Sequence, residues 1–195
     1  DHRLYLTRYW QQEEQVRRSL QQRSSAHAGV AAPEQLAAWL DELFPGPNAD
    51  PDQRQGVAQV TTSGVTVVAG GPGTGKTTTI ARMIAMLLRQ GVQRVALAAP
   101  TGKAAARMDE ALRAAAHDLP ADVADRVAQV RASTLHRLLG AQPYRNPPFR
   151  HHRDNPLPHD VVIVDELSMV SLTMMAQLTD ALGVHTRLVL VGDPK

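Results

Sequence analysis

One glycine-rich stretch has the residue types and the spacing of a phosphate-binding loop. Residues 70–77 read GGPGTGKT and satisfy the pattern GxxxxGK[ST] between a predicted strand and a predicted helix. Backbone N–H groups at a helix N-terminus bind phosphate, and glycines let the chain pass close to it. We expect Lys76 to reach the β and γ phosphates of ATP and the Thr77 hydroxyl to bind Mg²⁺. The predicted nucleotide-binding residues of this stretch are Gly70, Gly71, Pro72, Gly73, Thr74, Gly75, Lys76, Thr77 and Thr78.

A second pattern supplies the carboxylates that such a site requires. Residues 161–164 are an apolar run, VVIV, followed directly by Asp165 and Glu166. A carboxylate at the end of a neighbouring strand suits Mg²⁺, and a second one suits a group that positions or deprotonates water. We expect Asp165 to hold the metal through its water shell and Glu166 to act as the general base.

Each of these two patterns has a simpler alternative. The loop could be a glycine-rich turn with an incidental lysine, and Asp165 could serve only as a helix N-cap. Lysine is scarce in this chain, with 3 Lys against 18 Arg, and both flanks of the loop fit. The two patterns together favour an ATP site, with Lys76, Asp165 and Glu166 as its catalytic residues.

The elements around these patterns predict an α/β fold. Apolar runs predict strands at residues 65–68, 94–98, 161–164 and 187–191, and helical spacing predicts helices at 77–89, 104–117 and 172–182. Nearly continuous apolar strands that alternate with helices are typical of a parallel sheet covered on both faces. Two further helices are predicted before them, over residues 4–22 and from Pro33 to Leu43, where residues 44–47 (FPGP) end the second one. A boundary in 45–51 divides an N-terminal helical or docking segment, residues 1–50, from a domain of residues 51–195.

Composition excludes several classes of protein. A chain of 195 residues that is 43% hydrophobic and 21% charged is typical of a globular domain rather than a disordered or coiled-coil one. It has no cysteine, which excludes disulfides, thiolate metal sites and cysteine nucleophiles. No apolar run is long enough to cross a bilayer and the first residues lack the layout of a signal peptide, so we expect a cytoplasmic protein without a membrane partner.

Basic charge is concentrated in the second part of the chain. Residues 51–195 carry 16 basic and 12 acidic side chains, against 5 and 7 in residues 1–50. Residues 131–153 contain five arginines, three histidines and no acid, and their prolines predict an irregular excursion. Two interpretations stay open for this stretch: contact with phosphates through Arg145, Arg150 and Arg153, or a solvated surface loop.

Four further segments carry a resemblance to a known family. Residues 99–107 (APTGKAAAR), 134–139 (TLHRLL), 165–169 (DELSM) and 192–194 (GDP) resemble motifs Ia, Ib, II and III of superfamily-one helicases, in that family's order. Gln53, seventeen residues before Gly70, stands at the position of that family's adenine-reading glutamine. Residues 4–10, 155–158 and 165–182 resemble more closely the RecD family, the alpha subunits of the ATP-dependent exonuclease RecBCD. The resemblance covers nearly the whole chain.

The resemblance implies a RecA-like motor domain 1A of a 5′ to 3′ DNA helicase that uses ATP and Mg²⁺. It implies single-stranded DNA as substrate and RecB-like and RecC-like subunits as partners in a heterotrimer for double-strand-break repair. Gly192 and Asp193 would couple the nucleotide and DNA sites. The residues that would face DNA are Pro100, Thr101, Gly102, Lys103, Arg107 and His136. Arg107 could instead be a solvated helix residue, and His136 could only cap or pack.

The chain departs from the family pattern at three places. Asp52 stands where an aromatic residue often precedes the glutamine, and Leu167 occupies a usually small position from which we expect little effect. Motif III should continue with a glutamine, whereas the sequence stops at Lys195. We therefore expect the second RecA-like domain and its arginine fingers to be missing and the isolated 195 residues to be unable to unwind DNA.

Two other functions fit parts of the sequence. A P-loop ATPase that does not use DNA would share the nucleotide patterns but would not need residues 99–107 or 192–193. An assembly subunit would dock through residues 1–50 and use its nucleotide site only to hold its shape. No cluster of nuclease metal ligands is recognisable in the sequence.

Overall fold

The computed structural model describes residues 6–24, 31–47, 49–71 and 73–193, and within these ranges the chain folds around a five-stranded sheet. The strands are β1 Val65–Ala69, β2 Val95–Ala99, β3 Ala132–Thr134, β4 Val161–Val164 and β5 Arg187–Gly192. Their order across the sheet is β1-β5-β4-β2-β3, and all neighbouring pairs are parallel. The loops that follow the strands therefore lie at one common edge of the sheet, where open α/β sheets bind ligands.

The helices of the described ranges are α1 Thr7–Ser24, α2 Pro33–Leu43, α3 Pro51–Gln59, α4 Lys76–Arg89, α5 Gly102–Ala116, α6 Ala121–Gln129, α7 Leu135–Leu139 and α8 Leu172–Ala181. The strands and helices predicted from the sequence are confirmed to within a few residues. Residues 4 and 5 of the first predicted helix lie outside the described residues. The prediction missed α3, α6, α7 and β3.

Alternating residues of the central strands face two separate cores. Val161, Ile163 and Val189 pack on one face of the sheet with residues of α2 to α6. Val162 and Leu188 pack on the other face with residues of α7 and α8. All four residues of β4 are buried, as expected for an interior strand of a parallel sheet with helices on both sides. The predicted fold class is confirmed.

The first two helices pack directly on this sheet-and-helix body. Gln15 on α1 donates its side-chain N–H to the Ala176 carbonyl of α8 at 2.9 Å, and Val16 and Leu20 pack against the second core. On the opposite face, Phe44 just after α2 is 4% exposed and belongs to the first core. The division of the chain at residues 50 and 51 stays a prediction.

The basic stretch of residues 131–153 is more regular than predicted. Residues 132–134 form β3, and α7 follows at once because the Thr134 hydroxyl accepts the Arg137 N–H and caps the helix. Gly140, at φ 69°, ends α7. The prediction of an irregular excursion is wrong for residues 132–139, since the prolines that motivated it begin only at Pro143. Residues 141–153 are irregular apart from isolated bridges.

Among the helices described above, none combines the length and apolar character that a membrane span requires.

Candidate nucleotide and nucleic-acid site

The predicted phosphate loop connects β1 to α4. Gly73 and Gly75 have φ values of 79° and 77°, the left-handed region that residues with a Cβ rarely adopt. Gly75 is the N-cap of α4 and its carbonyl accepts the Thr79 N–H at 2.9 Å. A Cβ at Gly70 would lie 2.6 Å from the Thr74 hydroxyl oxygen. The path of the loop therefore requires Gly70, Gly73 and Gly75. Thr77 and Thr78 lie in the first turn of α4, which directly follows the loop. Pro72 lies outside the described residues.

Lys76 spans the loop that it terminates. Its Nζ donates to the Gly70 carbonyl oxygen at 2.8 Å and forms an ion pair with Asp193, the residue that follows β5. The Lys76 side chain is 19% exposed. The Lys76 ammonium group is therefore held beside the loop by Asp193, and a bound phosphate would have to replace this carboxylate as its partner.

Asp165 and Glu166 follow the central strand β4 at the same edge of the sheet. The Asp165 N–H donates to the Ala98 carbonyl at 2.9 Å, which continues the pairing of β4 with β2. Burial raises the pKa of the Asp165 carboxyl, and the nearby charges of Glu166 and Asp193 add to that rise. A hydrogen bond from the Glu166 backbone and the charge of Lys76 oppose it. A desolvated carboxylate among other acids gains most from a cation.

Glu166 has a left-handed backbone, with φ 56° and ψ 43°. This conformation costs about 1–2 kcal/mol for a residue with a Cβ, and such strain is concentrated at functional sites. It turns the chain from β4 into a short 3-10 helix, residues Leu167–Met169. The backbone therefore leaves the direction of β4 at Glu166, and the Glu166 side chain does not follow the alternation of the strand.

A cleft of about 740 Å³ joins the predicted catalytic residues to part of the predicted DNA-binding set. Its lining includes Gly73, Gly75, Lys76, Thr77, Thr101, Lys103, Arg107, Asp165, Glu166 and Asp193. Residues separated by up to 120 positions in sequence thus surround one space. The Thr77 hydroxyl and the Asp165 carboxylate are oxygen ligands of the kind that Mg²⁺ takes together with phosphates and water, so the donor set fits that ion. Within the described ranges, no cluster of three or more His, Cys, Asp or Glu could hold a metal by itself.

A second cleft, of about 350 Å³, also borders the loop, through Gly70, Thr74 and Lys76, and contains Gln53. The Gln53 side-chain N–H donates to the Thr74 carbonyl at 3.0 Å, so the glutamine contacts the phosphate loop; its role in reading adenine stays a prediction. Asp52 also lines this cleft. An acid therefore occupies the place where the family pattern has an aromatic ring.

The segments predicted to face DNA follow the neighbouring strands β2 and β3. Ala99 pairs with Thr134 in the register of these strands, so Pro100 and His136 follow adjacent strand ends. The Thr101 hydroxyl caps α5 by accepting the Ala104 N–H at 3.2 Å, and Gly102 begins that helix.

The cationic side chains of this region differ in their contacts. Lys103 and Arg107 are exposed, and both line the larger cleft. His136 is exposed and its ring centroid lies 6.0 Å from that of Phe149. It therefore has one observed packing contact and does not line the larger cleft.

The arginines of the basic stretch are not equivalent. The Arg153 guanidinium forms an ion pair with Asp180 at 2.7 Å, and the Arg150 side chain packs over Gly140, whose added Cβ would lie 2.9 Å from the Arg150 Cβ. Arg145 is exposed. Arg153 is therefore the least suited of the three for a phosphate contact.

A contact between Leu167 and Gly192 was missed by sequence reasoning. A Cβ at Gly192 would lie 3.1 Å from the Leu167 Cβ and 3.3 Å from the Leu167 backbone nitrogen. The Gly192 carbonyl also accepts the Gly70 N–H at 3.2 Å. The end of β5 thus touches both the phosphate loop and the turn after Glu166, and the glycine before Asp193 was the one available signal.

Comparison with known proteins gives a consistent set of relatives. A family model described as AAA domain matches residues 53–195. The RecBCD enzyme subunit RecD of Mycolicibacterium smegmatis is 50% identical over 198 residues, which covers 98% of this chain and 34% of that protein. The RecBCD enzyme subunit RecD of Haemophilus influenzae is 36% identical, with 97% of this chain and 31% of that protein covered. The ATP-dependent RecD2 DNA helicase of Deinococcus radiodurans is 41% identical over 65% of this chain and 15% of its own length.

The chain spans about a third of the length of these RecD relatives. Among solved structures, the UvsW helicase from bacteriophage T4 superposes with a TM-score of 0.53 over 85% of this chain and 62% of that chain. Its sequence is only 13% identical, so this similarity supports the fold alone.

Proposed function

We propose, because the chain belongs to the AAA domain family and is RecD-like, that it is the first motor domain of an ATP-dependent DNA helicase. The observation that carries the proposal is the shared cleft in which Lys76, Asp165 and Glu166 face Lys103 and its neighbours. A motor must bring nucleotide hydrolysis and DNA contact together in this way. The names of the RecD relatives and of the RecD2 helicase agree with the proposal.

ATP binding uses the glycine loop and the first turn of α4. The backbone N–H groups of residues 70–78, except Pro72, which has none, surround the phosphates. Lys76 exchanges its ion pair with Asp193 for the β and γ phosphates. Thr77 and Asp165 would hold Mg²⁺, which neutralises phosphate charge when it is bound.

Hydrolysis depends on Glu166. Its strained backbone directs the side chain into the larger cleft beside Asp165, where it orients water and accepts its proton. Gln53 contacts the base from the smaller cleft, which also borders the loop.

Single-stranded DNA binds through the loops after β2 and β3. Lys103 and Arg107 contact phosphates, while Thr101, the backbone of Pro100 and Gly102, and His136 position the strand. Gly192 and Asp193 couple the two sites, since β5 touches the phosphate loop and Asp193 pairs with Lys76.

The finer assignments rest on the RecD-like relationship. The motor translocates 5′ to 3′ on DNA. It assembles with RecB-like and RecC-like subunits in a cytoplasmic heterotrimer that acts in double-strand-break repair. These 195 residues alone do not separate DNA strands. Three large apolar side chains are exposed at the start of α1: Leu6, just before the helix, is 71% exposed, and Tyr9 and Trp10 in its first turn are 41% and 55% exposed. This apolar face is the candidate surface for a partner subunit.

The experiment uses the full-length protein and separates hydrolysis from nucleotide binding. Glu166→Gln should bind ATP with nearly unchanged affinity and lose hydrolysis by about 10²- to 10⁴-fold, the contribution of a positioned general base. Hydrolysis at the wild-type rate by this variant would contradict the assignment of Glu166.

The DNA contacts need a separate readout. Lys103→Ala should weaken single-stranded DNA binding and lower its salt slope by roughly 0.7, as expected when one phosphate contact to a single strand is lost. Arg113→Ala on the same helix is the matched control, since the exposed Arg113 donates to the Asp109 carbonyl and does not line the larger cleft. Equal salt slopes for the two variants would contradict the DNA assignment of Lys103.

A further inference from the structure

Arg82 lies on α4, six residues after Lys76, and contacts Gln53, the glutamine that lines the smaller cleft. Its guanidinium carbon lies 4.3 Å from the centroid of the Phe44 ring, and that ring is 4% exposed. One guanidinium N–H donates to the Gln53 side-chain oxygen at 3.3 Å. Arg82 is not among the residues that line this cleft, so any effect on a ligand passes through Gln53.

The amide of Gln53 is held at both ends. Its nitrogen donates to the Thr74 carbonyl at 3.0 Å, and its oxygen accepts from Arg82. An amide rotated by 180° would place its NH₂ against the guanidinium and its oxygen against the Thr74 carbonyl, which are two repulsive contacts. The two partners therefore specify one orientation, and one N–H and one lone pair remain for a ligand.

We propose that Arg82 is a positioning residue for nucleotide-base selection, which fixes the Gln53 amide so that it offers one donor and one acceptor to the smaller cleft. The inference rests on the proposed nucleotide site. A purine with an amino group at position 6 beside the acceptor N7 satisfies both groups. A purine with a carbonyl at position 6 presents two acceptors, and this leaves the Gln53 oxygen without a partner.

The Phe44 ring is the fixed part of this arrangement. The ring belongs to the core between α2 and α4, and a cation over its face is held in place by cation–π attraction. The buried Phe44 ring thus fixes the position of the Arg82 guanidinium, and the guanidinium in turn fixes the orientation of the Gln53 amide. Loss of the guanidinium frees the amide to rotate, and base selection then weakens while the phosphate loop is unchanged.

The experiment compares hydrolysis of ATP and of inosine triphosphate, which carries a carbonyl at position 6, by the full-length protein. Arg82→Met keeps the apolar stem of the side chain and removes the donor. We expect the ATP-to-inosine-triphosphate ratio of kcat/KM to fall roughly fivefold to tenfold, the size of one lost hydrogen bond. The loss should be a higher KM for ATP with kcat nearly unchanged, and Gln53→Ala should show the same loss. The double variant Arg82→Met, Gln53→Ala should lose no more than Gln53→Ala.

The matched control is Arg89→Met on the same helix. Arg89 is also a largely buried arginine, but it pairs with Glu42 and Asp122 and not with Gln53, so it should lower stability without changing the ratio. If Arg82→Met does not fold, Phe44→Leu retains both Arg82 and Gln53 but removes the ring that holds the guanidinium, so it should still lower the ratio.

The outcomes distinguish the inference from the function on which it rests. An unchanged ratio in Arg82→Met, or additive losses in the double variant, would overturn the role of Arg82. An unchanged ratio in Gln53→Ala would overturn base reading by the glutamine, while hydrolysis that still requires Lys76 would leave the ATPase proposal intact. Absence of any nucleotide hydrolysis by the wild-type protein would overturn both.

Discussion

Replacing Arg23 by alanine is expected to release α1 from the rest of the domain. The Arg23 guanidinium donates to three backbone carbonyls at the end of α8 and in the turn before β5, those of Leu182 at 3.1 Å, Gly183 at 2.8 Å and Thr186 at 2.7 Å. The residue is 9% exposed. Burial lowers the pKa of the guanidinium, which reflects a desolvation cost that these three bonds offset.

The magnitude follows from these contacts. A hydrogen bond from a charged donor contributes about 1.5–3 kcal/mol, and carbonyls left unsatisfied cost a similar amount. The desolvation of the guanidinium and its unpaired Nε reduce the net value, so we expect Arg23→Ala to weaken the attachment of α1 by about 3 kcal/mol. Amide hydrogens of residues 7–24 should then exchange roughly a hundredfold faster by local opening.

Hydrogen exchange followed by mass spectrometry on the full-length protein measures the exchange rate of α1 directly. Peptides from α4 serve as an internal reference. Arg17→Ala is the control on the same helix. Its side chain is 51% exposed and pairs with Glu14 on the same helix, so its loss should leave the exchange of α1 nearly unchanged. Equal exchange of α1 in the two variants would show that Arg23 does not hold this helix on α8.

Three further predictions concern the pH dependence and the edge of the sheet. Burial lowers the pKa of His159 below its ordinary value of 6.5, so stability should fall as the pH drops below 6.5, where the unfolded chain takes up the proton first; denaturation curves of His159→Gln should lose this component, and an unchanged curve would count against it. Gly192→Ala places a Cβ 3.1 Å from the Leu167 Cβ, so a loss of about 1–3 kcal/mol in chemical denaturation is expected, and wild-type stability would show that the turn yields freely. Asp193→Asn removes the acid that pairs with Lys76 and should tighten ATP binding by roughly threefold in a titration; weaker binding would show that the pair assists the nucleotide instead of competing with it.

The sheet was predictable where apolar residues are continuous. Residues 161–164 are a run of four β-branched residues, and such a run has few alternatives to an interior strand. The strand Ala132–Thr134 has no such signal, because it lies at the edge of the sheet and is only half-buried. The helix Pro51–Gln59 was missed because its sequence is polar and contains Gly56, and its stability comes from the Asp50 cap and from packing against α4.

The candidate site was predictable where one short segment carries the chemistry. The loop of residues 70–77 and the pair Asp165 and Glu166 each fit a local pattern. The pairing of Lys76 with Asp193 joins residues 117 positions apart, and the contact of Gln53 with Arg82 depends on how α3 packs against α4. Spacing in the sequence does not encode such contacts, since they arise only when the strand ends meet.

We propose that this chain is the ATP-hydrolysing part of a DNA motor. The most direct test is ATP hydrolysis by the full-length parent protein with and without single-stranded DNA, beside a Lys76→Ala variant. We expect hydrolysis that DNA stimulates strongly and that the variant lacks, because the proposed phosphate ligand Lys76 lines the same cleft as Lys103. Hydrolysis that is indifferent to DNA, or that survives in Lys76→Ala, would contradict it.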